Sequence, residues 1–572
     1  MSRVRCSALI SARVGVSRTM ASISPPRDYD NALKALLSLQ SNVNILKTIA
    51  AMGPKERAAK YAQSLPEMHE YKARAGLDDS KLRTIEFIHV TGTKGKGSTA
   101  AMTEQLLRSS GVRTGLFTSP HLLSPRERIR IDGRPVSEDT FSNAFWGMWE
   151  RLESGAAAAG RSSELPPHPM FFRYLTLMSL AVFVEHGVDV AIMEVGIGGR
   201  YDSTNIIPPP VAAGITPIGY DHLEVLGTSI TDIAFQKAGI IKPGTGAVIT
   251  APQDDGALEV IRAEAAAASV PLVESRPLVV EAPDSLGLPG AHQTCNAAVA
   301  LGLARAFLAA QASGLASAAE AAAGVSGQLR LAASDEVTEA EGAALRAAKW
   351  RGRCSQHSIS PSVELYMDGA HTYESMQACV QWFNERRRAA PDRKTVLMFA
   401  CKYSRDPLWL MLPLVDVHMS TPFDLVVFSS TTAYPPGDEA PASVNDSDPD
   451  EQRRAYRRKR REAWKERQLE TWFKLASGEP LECDAPSGGA AVRSVPKSVA
   501  DALAAGRHRA TPDIRDGDAP MVQLDSIQDS LDFVRNMTAP GGPWENDGVD
   551  VLVCGSLYLV GGVFEVLGYG VE

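Results

Sequence analysis

Nowhere in its 572 residues does the sequence bring two cysteines into a CxxC pair. The seven cysteines (Cys6, Cys295, Cys354, Cys379, Cys401, Cys483 and Cys554) are odd in number and scattered. That argues against a disulfide framework or a zinc clip and fits a reducing compartment. A net positive charge is also missing: the formal charge is −8, so the overall field gives no grip on nucleic acid or anionic lipid. Anionic substrates must then be held by local cations. No long stretch is purely apolar either. The longest candidate, 551–571, carries Glu565 and five glycines, and reads as a strand, a glycine turn and a short helix rather than an integral membrane span. No internal repeat is evident. One absence is local: before Asp28 there is no acid, while Arg3, Arg5, Arg13, Arg18 and Arg27 stand among serines. Residues 1–27 therefore read as a mitochondrial presequence, and a second start at Met20 would remove most of it, giving mitochondrial and cytoplasmic forms. A disordered basic tail has the same composition.

What is present is ordinary globular material, 44% hydrophobic and 22% charged, in a chain long enough for two folded units. A helical pattern runs from Tyr29 to Leu46. The branched apolar run Thr84 to Val90 reads as a strand, and further runs follow at 112–118, 188–195 and 211–218. Helical stretches at 171–185 and 230–240 separate them, an alternation that predicts an α/β fold with a parallel sheet covered by helices. An alanine-rich helical stretch spans roughly 297–347. A second alternation uses strands at 363–367, 395–400, 424–428 and 549–554. The expected layout is a first domain over 28–325, a linker over 326–347, and a smaller α/β domain over 348–572. Its segment 435–548, rich in Pro, Asp, Ser and Ala, reads as a partly disordered surface insertion.

The strand at 84–90 leads straight into Gly92-Thr93-Lys94-Gly95-Lys96-Gly97-Ser98 and then a helical pattern through Leu107. Strand, glycine turn and helix make the context of a phosphate-binding loop. Glycines let backbone amides approach phosphate oxygens, and the helix adds its positive N-terminus. Lys96 would reach the terminal phosphates, and Ser98 could touch a phosphate or a metal-bound water. The spacing departs from the usual loop, since Gly97 separates the lysine from the serine. A glycine turn without function is the plainer alternative.

This loop resembles that of the Mur ligase and folylpolyglutamate synthase superfamily. The likeness extends to Thr118-Ser119-Pro120-His121-Leu122, Arg126 to Gly133, Phe172-Arg173-Tyr174-Leu175-Thr176, Glu194-Val195-Gly196-Ile197-Gly198-Gly199 and Asp202-Ser203-Thr204-Asn205. It continues through Asp221-His222, Gln236 to Ile240, His292-Gln293, Asn296, Asp368-Gly369-Ala370-His371 and Val551 to Tyr558. Their order and spacing are similar to those of eukaryotic folylpolyglutamate synthases.

The resemblance implies a P-loop ATPase domain like the central domain of Mur ligases, followed by a Rossmann-like C-terminal domain. It implies ATP-dependent ligation of L-glutamate to the γ-carboxylate of tetrahydrofolate and its polyglutamates, through an acyl phosphate, giving ADP and phosphate. Partners would be ATP, L-glutamate, reduced folates and folylpolyglutamates, with no nucleic acid, and the chain would act as a monomer. Mg²⁺ is the implied cofactor, with room for a monovalent cation such as K⁺. By the same resemblance Ser119, Glu194 and His222 are the metal ligands. Lys96, Lys237 and His222 serve catalysis, Lys237 being the position that family members carbamylate. Gly92 to Ser98, Asn296, Arg353, Asp368 and His371 hold ATP.

Plainer readings stand beside these. Glu194 could be a buried strand-end acid, Ser119 part of a Ser-Pro turn, His222 structural, and Lys237 an ion-paired helix lysine. Arg126, Arg128 and Arg130 suit either anion binding or a solvated strand. At the level of function, a dihydrofolate synthase, a bifunctional enzyme, a Mur-type ligase or an inactive nucleotide-binding regulator are the alternatives. The intact set Ser119, Glu194, His222 and Lys237 speaks against the last.

Overall fold

In the computed structural model, the apolar run after Thr84 becomes β1 (Glu86–Thr91), near the middle of an eight-stranded sheet. The residues described are 26–39, 52–159, 165–280, 285–312, 336–388, 392–402, 406–431, 433, 463–464, 466–476 and 521–571. The presequence therefore lies outside them except for residues 26 and 27, as do residues 40–46 of the first expected helix.

The first sheet also contains β2 (Thr114–Phe117), β3 (Ile129–Ile131), β4 (Arg134–Pro135), β5 (Val190–Glu194), β6 (Ala212–Ile215), β7 (Ala247–Thr250) and β8 (Leu272–Glu274). Its order is β4-β3-β2-β5-β1-β6-β7-β8. The ladders from β2 across to β8 are parallel, while β3 and β4 form an antiparallel hairpin at one edge. That edge corrects the expectation of a purely parallel sheet.

Side chains of a strand alternate between faces, and here the alternation feeds two cores. Phe87, Ala191 and Met193 face the core built on helices Glu138–Ala159 and Phe171–His186. Ile88, Val90, Val190 and Ile192 face the core under helices Lys96–Ser109 and Gln293–Ala312. Burial on both faces explains why these strands read as continuous apolar runs. Among the described residues, Gln293–Ala312 alone is long and apolar enough to cross a membrane, and it packs into this core through Ala297, Ala300, Leu303 and Phe307. Helix Glu339–Ala347 joins the same core through Ala344 and Leu345, so this part of the expected linker belongs to the first unit.

The second sheet has the order β13-β12-β11-β14-β10-β9, from β9 (Ser355–Ser358), β10 (Val363–Met367), β11 (Lys394–Phe399), β12 (Leu425–Phe428), β13 (Met521–Gln523) and β14 (Val549–Cys554). Only β9 runs antiparallel. After β14, Gly555 turns at φ +104° into helix Leu557–Val566, as the sequence pattern of that segment predicts.

Described parts of the expected insertion at 435–548 pack onto the second unit. β13 pairs with β12, and helix Ile527–Thr538 buries Ile527, Leu531 and Val534 in the core that also holds Val560 and Val563. Upstream, the helical residues 466–476 place Trp472, 2% exposed, against Phe428 and His418. A solvated flap would not bury a tryptophan this way.

The energetic consequence is testable. Trp472→Ala should lower the stability of the second unit by about 3–5 kcal/mol through lost apolar burial and the cavity left behind. Denaturant unfolding followed by a probe in that unit measures it, and a shift under about 0.5 kcal/mol would return 466–476 to the surface.

Candidate functional site

The glycine turn after β1 exists because its neighbours leave no room for side chains. Gly92 has φ +147°, and a Cβ there would lie 1.8 Å from Thr216 Oγ1. Gly95 sits left-handed at φ +86°, and its Cβ would lie 2.0 Å from Asn296 Oδ1. Thr216 Oγ1 donates to the carbonyls of Thr91 and Lys94, and Thr93 bonds to the strand end after β6 through Pro217 and Gly219. The loop is thus pinned from both sides before helix Lys96–Ser109 begins.

Three lysines converge on it. Lys96 Nζ donates to the carbonyls of Gly92 and Thr93 at 3.1 and 3.3 Å. Lys237, 4% exposed on helix Ile230–Ala238, donates to the same Gly92 carbonyl at 2.7 Å. Lys94 pairs with Asp221 at 3.2 Å. Burial, reinforced by the Lys96 cation, holds the Lys237 amine well below the usual lysine range.

Glu194 ends β5 at the carboxyl edge of the parallel strands, where open α/β sheets bind their ligands. It is 3% exposed; its Oε2 accepts the Ser119 amide at 2.8 Å. Its Oε1 lies 3.5 Å from where a Cβ on Gly97 would project, so it faces the first turn of the loop helix. Burial raises its pKa, opposed by Lys96, the Ser119 amide, Arg353 and Arg128. Ser98 is buried in that same turn. His222 adopts φ +53°, a conformation uncommon for a residue with a side chain, directly after the Asp221 that Lys94 reaches.

The donor types fit a magnesium ion. Among the described residues no cluster of three or more His, Cys, Asp or Glu could cage a metal. Mg²⁺ does not require one, because it keeps several waters and takes only one or two carboxylates plus phosphate oxygens. Glu194 Oε1, aimed at the phosphate helix, is such a carboxylate. The Ser119 backbone already contacts it, which brings that serine to the same corner.

The other expected nucleotide residues divide between the first unit and the second. Asn296 covers Gly95 and bonds Gln293 at 2.9 Å. One turn earlier, His292 interacts electrostatically with Asp368 and Arg353 of the second unit, while burial lowers its basicity. Asp368 caps the Cys354 amide at 2.7 Å, and His371 is braced by the Gly369 carbonyl at 2.8 Å.

Sequence reading missed Trp350, whose indole nitrogen lies 3.2 Å from the Cβ position of Gly97, with the Arg130 guanidinium 5.1 Å from its ring centre. The Trp-x-Gly-Arg pattern around Arg353 was the available signal. The three arginines also separate in the structure. Arg126 serves the hairpin through the Val136 carbonyl, Arg128 is buried on His121, and Arg130 faces the second unit.

No family model matches the chain. It is 41% identical to the mitochondrial folylpolyglutamate synthase of Bos taurus over 76% of this chain and 75% of the bovine protein. It is 35% identical to the folylpolyglutamate synthase of Saccharomyces cerevisiae over 72% of this chain and 73% of the yeast protein. Among solved structures, a Mycobacterium tuberculosis folylpolyglutamate synthase complexed with ADP and AMPPCP aligns at a TM-score of 0.61 and 23% identity, covering 88% and 96% of the two chains. At that identity the likeness speaks for the fold.

The loop geometry carries its own test. Gly95→Ala forces a side chain into both a left-handed backbone and Asn296, a strain of about 1–3 kcal/mol. It should weaken ATP binding roughly tenfold or more, as 1.4 kcal/mol is a factor of ten. Titration calorimetry reads this, and unchanged affinity in a folded variant refutes a nucleotide on this loop.

Proposed function

Because the chain belongs to the folylpolyglutamate synthase family, we propose that the site around Lys96 ligates L-glutamate to the γ-carboxylate of tetrahydrofolate or its polyglutamates. The chain is an ATP-dependent ligase that lengthens folates with glutamate. The observation that carries the finer reading is the meeting of Lys96, Glu194 and Ser119 at the first turn of the loop helix.

Amide formation from a carboxylate requires activation. The folate γ-carboxylate attacks the γ-phosphorus of ATP, giving an acyl phosphate and ADP. The glutamate amine then adds to the acyl carbon, and phosphate leaves from the tetrahedral intermediate. Binding and charge compensation supply most of the acceleration for such phosphoryl transfer. Loop amides from Gly92 to Ser98 cradle the phosphates. Lys96 swings from the Gly92 and Thr93 carbonyls to the terminal phosphate, where its charge offsets that of the transferred group. Glu194, Ser119 and His222 are the residues that would hold Mg²⁺, which would supply charge screening of the phosphate oxygens. A monovalent cation such as K⁺ fits the same polyanionic ground state. Asn296 and His292 lie toward the adenine end, and Arg353, Asp368 and His371 close over the nucleotide from the second unit. Closure of the cleft would complete the site.

Lys237 has a separate part. Its neutral amine can add to CO₂, forming an N–C bond and releasing one proton to water, which leaves a carbamate. The modification converts a donor to Gly92 into an anionic acceptor beside the Lys94 and Lys96 cations. The Arg-rich N-terminal composition and the mitochondrial relatives support a mitochondrial form, and the Met20 start a cytoplasmic one.

Two measurements follow. ATP-dependent incorporation of labelled glutamate into tetrahydrofolate should exceed that into dihydropteroate, and Lys96→Ala should abolish it without unfolding the chain. Incorporation into dihydropteroate alone would make the enzyme a dihydrofolate synthase, and wild-type rates in the variant would remove Lys96 from the reaction. Second, protein equilibrated with ¹³C-bicarbonate should show a carbamate carbon resonance that is absent from Lys237→Ala. A wild-type spectrum without that resonance refutes the modification.

A further inference from the structure

A cavity of about 340 Å³ lies between the loop helix and the second unit, at the small end of ligand-sized pockets. Thr118 and Pro120 line it, flanking the Ser119 whose amide rests on Glu194, so it begins at the reacting corner. From there it runs along Ala101, Glu104 and Arg108, spaced at three and four residues down one face of the helix. Trp350, packed on the first unit's core at the chain's passage between the units, and Leu557 of the second unit form the facing wall.

The lining is strongly cationic. Arg108, Arg130, Arg134, Lys349, Arg351 and Arg353 contribute to it, against the carboxylates Glu104 and Glu127. Both carboxylates are committed within the protein. Glu127 accepts the amides of Leu122, Leu123 and Ser124 at 2.8, 2.8 and 2.7 Å. Glu104 accepts the Gly133 amide at 3.0 Å and faces Arg130 at 3.8 Å. Arg108 is laid across the Gly133 turn, where any Cβ would lie 2.1 Å from its guanidinium, so the glycine sets its position. In a chain of net charge −8 this is a local excess of positive charge on one wall of the active cleft.

We infer that this cavity holds the γ-glutamyl tail of the folate substrate, its α-carboxylates paired with Arg108, Arg134 and Lys349 while the terminal γ-carboxylate sits at the loop. The inference rests on the ligase reading above. Each γ-linked glutamate adds one free α-carboxylate and a flexible segment, so a growing substrate needs a cationic channel that starts where the reaction occurs. An apolar pocket for a ring system would lack this charge. Cationic side chains, arginine or lysine alike, pair with such repeated carboxylates through charge-assisted hydrogen bonds.

The test is a ratio. For wild type and for Arg108→Ala/Arg134→Ala, kcat/KM is measured with tetrahydrofolate pentaglutamate and monoglutamate at saturating ATP and glutamate. The pentaglutamate-to-monoglutamate ratio should fall about tenfold in the double variant, as expected for a lost charge-assisted hydrogen bond. Arg108→Lys/Arg134→Lys should restore most of it. Because both substrates are assayed on one preparation, partial unfolding cancels. An unchanged ratio, or a fall that the lysine pair fails to recover, overturns the tail site. A wild-type chain that transfers glutamate to no folate fails at the earlier step, sinking the ligase reading and the tail site together.

Discussion

The Gly92 carbonyl is shared by two lysine side chains, the Lys96 ammonium and the buried Lys237 amine, inside a loop where a third lysine stands one residue from Gly95. Asp221 pairs with Lys94 at 3.2 Å, and Glu194 faces Lys96 as a buried acid. Like charges held this close repel, and in a partly desolvated site the repulsion is far stronger than in water. The fold sustains it because the loop has little freedom to relax: Thr216 and Asn296 close on its glycines, and β1, β5 and β6 fix its flanks. Phosphate oxygens placed here, as the proposed reaction requires, would offset that imbalance of positive charge.

The two-unit layout serves the same imbalance. Helix Gln293–Ala312 starts with His292 facing Asp368 and Arg353 of the second unit, and one turn later Asn296 touches the loop. The nucleotide-facing groups of the second unit thus meet the first unit at a helix whose body is buried under the sheet. Trp350 sits at the chain's entry into the second unit and rests on Gly97, so the boundary between units is itself a contact of the site.

Sequence legibility followed the range of the forces involved. The loop could be read because positive φ and close approach demand glycine at fixed local positions, independent of the rest of the fold. Strands such as Val363–Met367 and Val549–Cys554 were legible because burial on both faces makes them mostly apolar or branched, with one acid in each. β13 escaped because it is three residues long, and its strand character comes from pairing with Val426, Val427 and Phe428 rather than from its own composition. Helix Glu339–Ala347 was assigned to a linker since only Ala344 and Leu345 are buried, too few to carry a period. The metal and nucleotide sets were accessible only through family resemblance: Ser119 and His222 have no local pattern that marks them, and Asp368 spends one oxygen on an ordinary amide.

The extra glycine that separates Lys96 from Ser98 has a physical reason that sequence comparison alone does not supply. A standard phosphate loop places its serine or threonine directly after the lysine, with a side chain at that position. Here a Cβ at 97 would meet the Trp350 indole at 3.2 Å and the Glu194 carboxylate at 3.5 Å. The first contact is tighter than ordinary van der Waals distance, while the second is an ordinary contact. Gly97 therefore lets an acid from β5 and an aromatic from the passage between the units close onto the first helical turn together. The serine shifts one position on, into a buried place on the same turn. The altered spacing leaves room for a carboxylate beside the first turn of the loop helix, and the proposed ligase reaction needs that acid held in place while a substrate carboxylate approaches. Glu194, tied to the Ser119 amide and turned toward Gly97, meets that requirement.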